Sequence, residues 1–212
     1  NDLKKLLTNL KILISQNTKI VIENHYLGSV IKKKQFDTFY HEHPRTYSLS
    51  SFLKISKLID LKIEHTSFPK RYGGNIRVFM GNESSKKIDK LNRKILISEN
   101  SFYIDLLNFN KFIQSWKKRT LTKIQFLKKK KIDIVGKAFP GRASILITLL
   151  NLNKKIINAI YEKPNSPKIG FYVPNSNIPI ISDEKLKDIN KKTIIINFAW
   201  HIKKEIFNYL KK

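Results

Sequence analysis

The alternation of helix-spaced segments with short apolar runs constrains this chain most. Residues 2–14 place Leu3, Leu6, Leu7, Leu10, Ile12, Leu13 and Ile14 at close to helical spacing. Residues 19–23 (Lys-Ile-Val-Ile-Glu) read as a short buried strand ending in a carboxylate. A helix leading into an apolar strand is the rhythm of a parallel α/β sheet, in which ligands sit beyond the carboxyl ends of the strands. Glu23-Asn24-His25-Tyr26-Leu27-Gly28 occupies such a position. The pattern returns at 132–135, followed by the Gly-rich turn 136–144 and a helix over 144–152. That turn exposes backbone N–H groups to an anion, but it lacks the Gly-Lys-Ser/Thr of a P-loop.

Between these two stretches the pattern predicts a helix over 48–60, capped by Ser48 or Ser50. Candidate strands 61–68 and 75–80 flank a turn at 69–74 and read as an antiparallel pair closing the sheet. Residues 84–98 are weakly helical, and a long helix is expected over 102–129, ending in lysines that suit a helix C-terminus. Further strands are expected at 155–161 and 193–197, a helix after Ser182, and a last helix over 202–210. The domain reading is 1–83, a helical spacer at 84–130, and a small α/β domain at 131–212.

The chain carries 42 Lys and Arg against 16 Asp and Glu, a net charge of +26. Nucleic acid is the obvious partner for such a charge, but the composition argues against it. Lysine supplies most of the charge, and Arg occurs only at 45, 71, 77, 93, 119 and 142. Base readout and two-pronged phosphate contacts favour Arg. The runs Lys32-Lys33-Lys34 and Lys128-Lys129-Lys130-Lys131 carry no interleaved aromatic on which bases would stack. Heavy use of Asn, Ile and Lys fits an AT-rich coding bias, so neither nucleic acid nor membrane is expected as a partner. With no cysteine there is no disulfide and no thiolate metal site, which agrees with a cytoplasmic home. No apolar run approaches the roughly 18 residues of a membrane span.

The chemistry concentrates in Phe36-Asp37-Thr38-Phe39-Tyr40-His41-Glu42-His43. Three readings stay open from the residues alone. His41 and His43 alternate along an extended segment and point to one side, as ordinary surface histidines do. His-x-His also opens many metal sites, but no third ligand has a diagnostic spacing, so no metal is assigned. Third, an imidazole near half-protonation at neutral pH is a suitable general base, with Tyr40 or Glu42 to orient it or to steady a developing oxyanion.

Glu23-Asn24-His25-Tyr26-Leu27, then Gln35 to His43, then Tyr72-Gly73-Gly74-Asn75-Ile76-Arg77-Val78 occur in an order that resembles the sugar C-methyltransferases. These enzymes act on nucleotide-linked keto-deoxysugars. The Gln-Phe-Asp-x-x-Tyr-His-Glu-His block matches without a gap, and the Gly-Gly block is close. The turn at 135–144 and residues 167–179 are similar to the family's C-terminal Rossmann-like domain.

The resemblance implies an enzyme of three parts: a zinc-binding N-terminal domain, a class I S-adenosylmethionine domain, and a C-terminal domain that helps hold the sugar nucleotide. This chain would hold the second half of the central domain and the whole C-terminal one. Carried over, His43 is the base, with Tyr40 and Glu42 as its active-site partners. Its removal of a proton beside a ketone would give an enolate, whose carbon would attack the sulfonium methyl. Glu23 and Asn24 are expected to contact the cofactor. His25, Arg45, Tyr72, Asn75, Arg77, Lys137 and Arg142 are expected to contact the nucleotide-linked sugar.

The chain departs from the family in having no Gly before Gly28 and no zinc-binding cysteines. S-adenosylmethionine would then be held largely by a part absent from this chain, and zinc is expected only in a missing N-terminal domain. An upstream polypeptide would complete the methyltransferase domain. Pro44-Arg45-Thr46-Tyr47-Ser48 and Lys70-Arg71-Tyr72 also differ from the usual residues, which leaves the sugar open. The alternative is a non-catalytic sugar-nucleotide-binding module with a degenerate or missing cofactor half.

Overall fold

The computed structural model describes residues 2–40, 43, 45–83 and 86–211, without the side chains of residues 72, 86–89 and 91. The chain folds as two units, one holding residues 1–36 and 43–110, the other residues 37–42 and 111–212.

The first unit begins with α1 (Asp2–Leu13), β1 (Ile20–His25) and the short α2 (Leu27–Lys32). After α3 (Leu49–Leu58) come β2 (Lys62–Ser67) and β3 (Asn75–Gly81), then α4 (Lys86–Glu99). The expected antiparallel pair is present, with β3 in the middle of the order β1-β3-β2. The helix-then-strand rhythm at the start leads into antiparallel rather than parallel pairing, because β1 also runs antiparallel to β3. The strand β3 alternates cleanly: Ile76, Val78 and Met80 are fully buried, while Arg77 and Phe79 turn to the other face. Leu7 of α1 and Leu49, Phe52 and Ile55 of α3 pack on the buried face, joined at its edge by Ile95 and Leu96 of α4.

One carboxylate and a serine hold the N-terminus of α3. Ser48 caps α3, accepting from the Ser51 N–H at 3.1 Å. Glu99, at the end of α4, accepts from the Leu49 and Ser50 N–H groups at 2.7 and 2.9 Å. The negative charge thus lies on the N-terminus of α3, where the helix dipole favours it. The Tyr26 hydroxyl donates to the same carboxylate at 3.1 Å; burial first, and then this negative neighbour, raise its pKa well above the ordinary phenol value.

The long helix α5 (Phe102–Lys129) begins in the first unit and ends in the second. The helices expected as a spacer are therefore core elements: Ile95 and Phe109 serve the first unit, and Trp116, Leu121, Ile124 and Leu127 pack on the core of the second. The second unit continues with β4 (Ile134–Lys137), α6 (Ala143–Leu149), β5 (Ile160–Glu162), β6 (Ile180–Ser182), β7 (Ile194–Asn197) and α7 (Lys203–Leu210). Its four strands are parallel in the order β6-β5-β4-β7, with apolar clusters on both faces. That is the doubly wound arrangement expected of a parallel sheet. Ser182 caps a 3-10 turn over Asp183–Asp188 rather than the expected α-helix. Among the described residues, no helix is long and apolar enough to cross a membrane.

Replacing Glu99 by Ala should leave the two α3 donors and the Tyr26 hydroxyl without their shared acceptor. A loss of about 3 kcal/mol is expected, read from chemical denaturation against the parent chain.

Candidate functional site

The carboxyl end of β1 brings together Glu23, Asn24, His25 and His43. Strand periodicity sorts them. Glu23 lies opposite Arg77 of β3, and His25 lies opposite Asn75, so these four share one face. Asn24 lies opposite Ile76, on the core face, and its Oδ1 is buried with no hydrogen bond among the described residues.

Glu23 is fully engaged on its own face. It accepts from Asn75 Nδ2 at 2.7 Å and from Arg77 Nε at 2.7 Å, with Arg77 Nη2 at 2.5 Å and Arg71 Nε at 4.0 Å. The hydrogen bond from Asn75, and then that from Arg77, hold its carboxyl below the ordinary carboxylate value. These residues were expected to divide between cofactor and substrate, yet they form one cross-strand lock. Of the two expected cofactor contacts, Glu23 accepts from Asn75 and Arg77, and Asn24 faces the core.

His25 and His43 meet edge to face, with ring centroids 4.6 Å apart and planes at 86°. His25 is buried and His43 half-buried. His43 was read from the sequence as the base, and the structure sets it beside the end of β1. Tyr40, by contrast, belongs to the second unit and is half-buried. His41 and Glu42 lie outside the described residues, as does the Tyr72 side chain. Arg45 is exposed and lines a separate 450 Å³ cleft with Leu3, Leu7, Lys11 and Leu58, on the α1 side of the unit. Among the described residues no group of three His, Cys, Asp or Glu could hold a metal.

The Gly-Gly of the third block has a backbone reason. Gly73 and Gly74 have φ of +98° and +122°, a region costly for residues with a side chain. A Cβ on Gly73 would also fall 2.1 Å from Nε2 of Gln35. That amide instead donates to the Gly73 carbonyl at 3.2 Å, joined by Lys33 Nζ at 2.5 Å. The first residue of the Gln-Phe-Asp motif therefore holds the turn that delivers β3.

In the second unit, Lys137 and Arg142, expected to contact the sugar nucleotide, are both buried on carboxylates. Lys137, 1% exposed, forms an enclosed ion pair with Asp183, over the ring of Tyr209, whose hydroxyl donates to Asp183 at 3.2 Å. Arg142 is buried against Asp37: Nη2 donates to Oδ1 at 3.2 Å, and Nε lies 2.9 Å from Oδ2 without hydrogen-bond alignment. Trp200 Nε1 donates to the same Oδ2 at 2.6 Å. Nearby His201 has its pKa lowered, first by burial and then by Arg142, against the opposing pull of Asp37 and Glu205. Sequence reading gave Asp37 and Trp200 no role. The only signal was the carboxylate inside an otherwise aromatic and imidazole-rich motif.

The structure defines a mixed α/β chain with a histidine pair at a strand end and a doubly wound second unit. Comparison with known proteins narrows the class. The C-methyltransferase C-terminal domain profile matches residues 70–212, and the chain belongs to that family. The chain is also similar to a protein named C-methyltransferase NovU, from Streptomyces niveus, at 23% identity over 212 residues. That alignment takes in 98% of this chain but 50% of the relative, so the chain spans half the length of the protein it matches. The family match begins after residues 35–43, and only the relative's alignment extends over them.

A carboxyl held below its ordinary pKa by native partners stabilises the fold above the unfolded value and loses that contribution as pH falls through the folded one. Glu23→Gln should flatten the fall in stability below about pH 4.5, the ordinary glutamate value. Thermal melts from pH 7 to pH 3 check this. An unchanged acid slope would remove Glu23 from the titrating set.

Proposed function

We propose that this chain is part of an S-adenosylmethionine-dependent C-methyltransferase that acts on a nucleotide-linked sugar. Within it, His43 is the base that activates the acceptor carbon. The observation that carries the reading is the half-buried His43 imidazole set against His25 at the carboxyl end of β1. The family membership and the similarity to NovU support methyl transfer to carbon.

Carbon beside a ketone becomes a nucleophile only after losing a proton. His43 takes that proton: the C–H bond breaks, its electron pair moves toward the carbonyl oxygen, and an enolate forms while the imidazole becomes cationic. Tyr40 is the proposed donor to the enolate oxygen. His25, stacked edge-on, holds the His43 ring in place. The chain's own contribution is this proton step. A binding module without catalysis is the weaker reading, since the two cations best placed to grip phosphate, Lys137 and Arg142, are enclosed on carboxylates.

In the complete polypeptide, His43→Ala should lower kcat by about 10²–10⁴-fold, the range of a lost general base, with little change in the melting temperature. With no methyl donor added, deuterium should wash into the acceptor carbon of a competent keto-sugar substrate in the parent and not in the variant. Equal wash-in by both would remove His43 from the role.

A further inference from the structure

In the second unit, the chain runs outward from β4 to β5 and β6, then returns to β7 on the far side of β4. The direction of winding reverses between β4 and β7. In doubly wound sheets the crevice beyond the carboxyl ends of two such strands is the place that takes a ligand. Here Arg142 follows β4 and Trp200 follows β7, so the two sides of the reversal each supply one donor. What they hold is the carboxylate of Asp37. Asp37 is 3% exposed, and the Arg142 guanidinium lies 5.0 Å from the centroid of the Trp200 ring. A charge this enclosed is tolerated only with its partners in place, so the contact fixes the backbone that bears it.

That backbone is the 3-10 turn Phe36–Thr38, with Thr38 1% exposed and the Tyr40 N–H donating to the Thr38 carbonyl at 3.2 Å. Residues 37–42 accordingly belong to the second unit, although the chain on either side belongs to the first. We infer that Asp37 is a positioning residue. Gripped by Arg142 and Trp200 at the winding reversal, it sets the place of Tyr40, and the second unit uses its ligand crevice to hold a catalytic segment of its own chain. This rests on the role proposed above for Tyr40. An ion pair that merely stabilised the unit would predict a general loss; a positioning role predicts a loss that passes through Tyr40.

The test is a double-mutant cycle in the complete polypeptide with nucleotide-linked keto-sugar and S-adenosylmethionine. Asp37→Asn should lower kcat about tenfold or more with KM changed less than about threefold. In a Tyr40→Phe background the same change should cost less than about twofold, because coupled residues are non-additive. An equal loss in both backgrounds, or a loss confined to KM, overturns the inference. Arg142→Lys, which keeps the charge and removes the fork, repeats the cycle if Asp37→Asn does not fold. Hydrogen exchange without substrate reads the clamp independently of turnover: the amides of Thr38 to Tyr40 should exchange at least about tenfold faster in Asp37→Asn. Unchanged exchange overturns the clamp, whereas full activity of His43→Ala overturns the reading of the base and leaves the exchange result standing.

Discussion

Strand β3 is the constraint on which the first unit depends. With Ile76, Val78 and Met80 fully buried, its register and facing admit no slip. A shift of one residue would put all three in solvent and Arg77 in the core. Because β1 and β2 both pair with β3, this one burial pattern also fixes their faces. Arg77 and Asn75 are thereby aimed at Glu23, and His25 is brought to the end of β1 where His43 can meet it. The polar end of the sheet follows from the apolar middle of a single strand.

The motif from Gln35 to His43 divides its labour along its length. Gln35 holds the Gly73 turn, and Asp37 is held by Arg142 and Trp200. Both are buried and hydrogen-bonded, so their chemistry is structural. Tyr40 and His43 are half-buried.

Much of the fold was legible because local rules decide it. Helical spacing marked α1, α3 and α5, and Ser48 and Ser182 were recognisable caps. The β2–β3 pair was readable because a short Gly-rich turn joins the two strands. The partner of β1 was not, since it lies some fifty residues on and its own rhythm pointed to a parallel neighbour. The short α2 and β6 left too few positions for any period to show. Among site residues, Glu23 and Asn24 looked like companions in sequence, yet adjacent strand residues face opposite ways. Lys137 and Arg142 looked like phosphate ligands after a Gly-rich turn. Their acids lie 46 and 105 residues away, and no local pattern announces either pairing.

The charge balance bears on the role of base proposed for His43. With 42 basic side chains and 16 acidic ones, several carboxylates in this chain lie beside a cation. Glu23 meets Arg77, Glu64 meets Lys19, Asp37 meets Arg142 and Asp183 meets Lys137. Where the pKa is lowered the carboxylate becomes a weaker proton acceptor: Glu64 through Lys19 first, and Glu23 through Asn75 and then Arg77. Abstraction from carbon needs the opposite, a base whose conjugate acid titrates near the working pH. An imidazole starts there, and positive neighbours cannot capture it as an ion-pair partner. In a chain this basic, carboxylates make good locks, and the imidazole of His43, set against His25, suits the base role proposed for it.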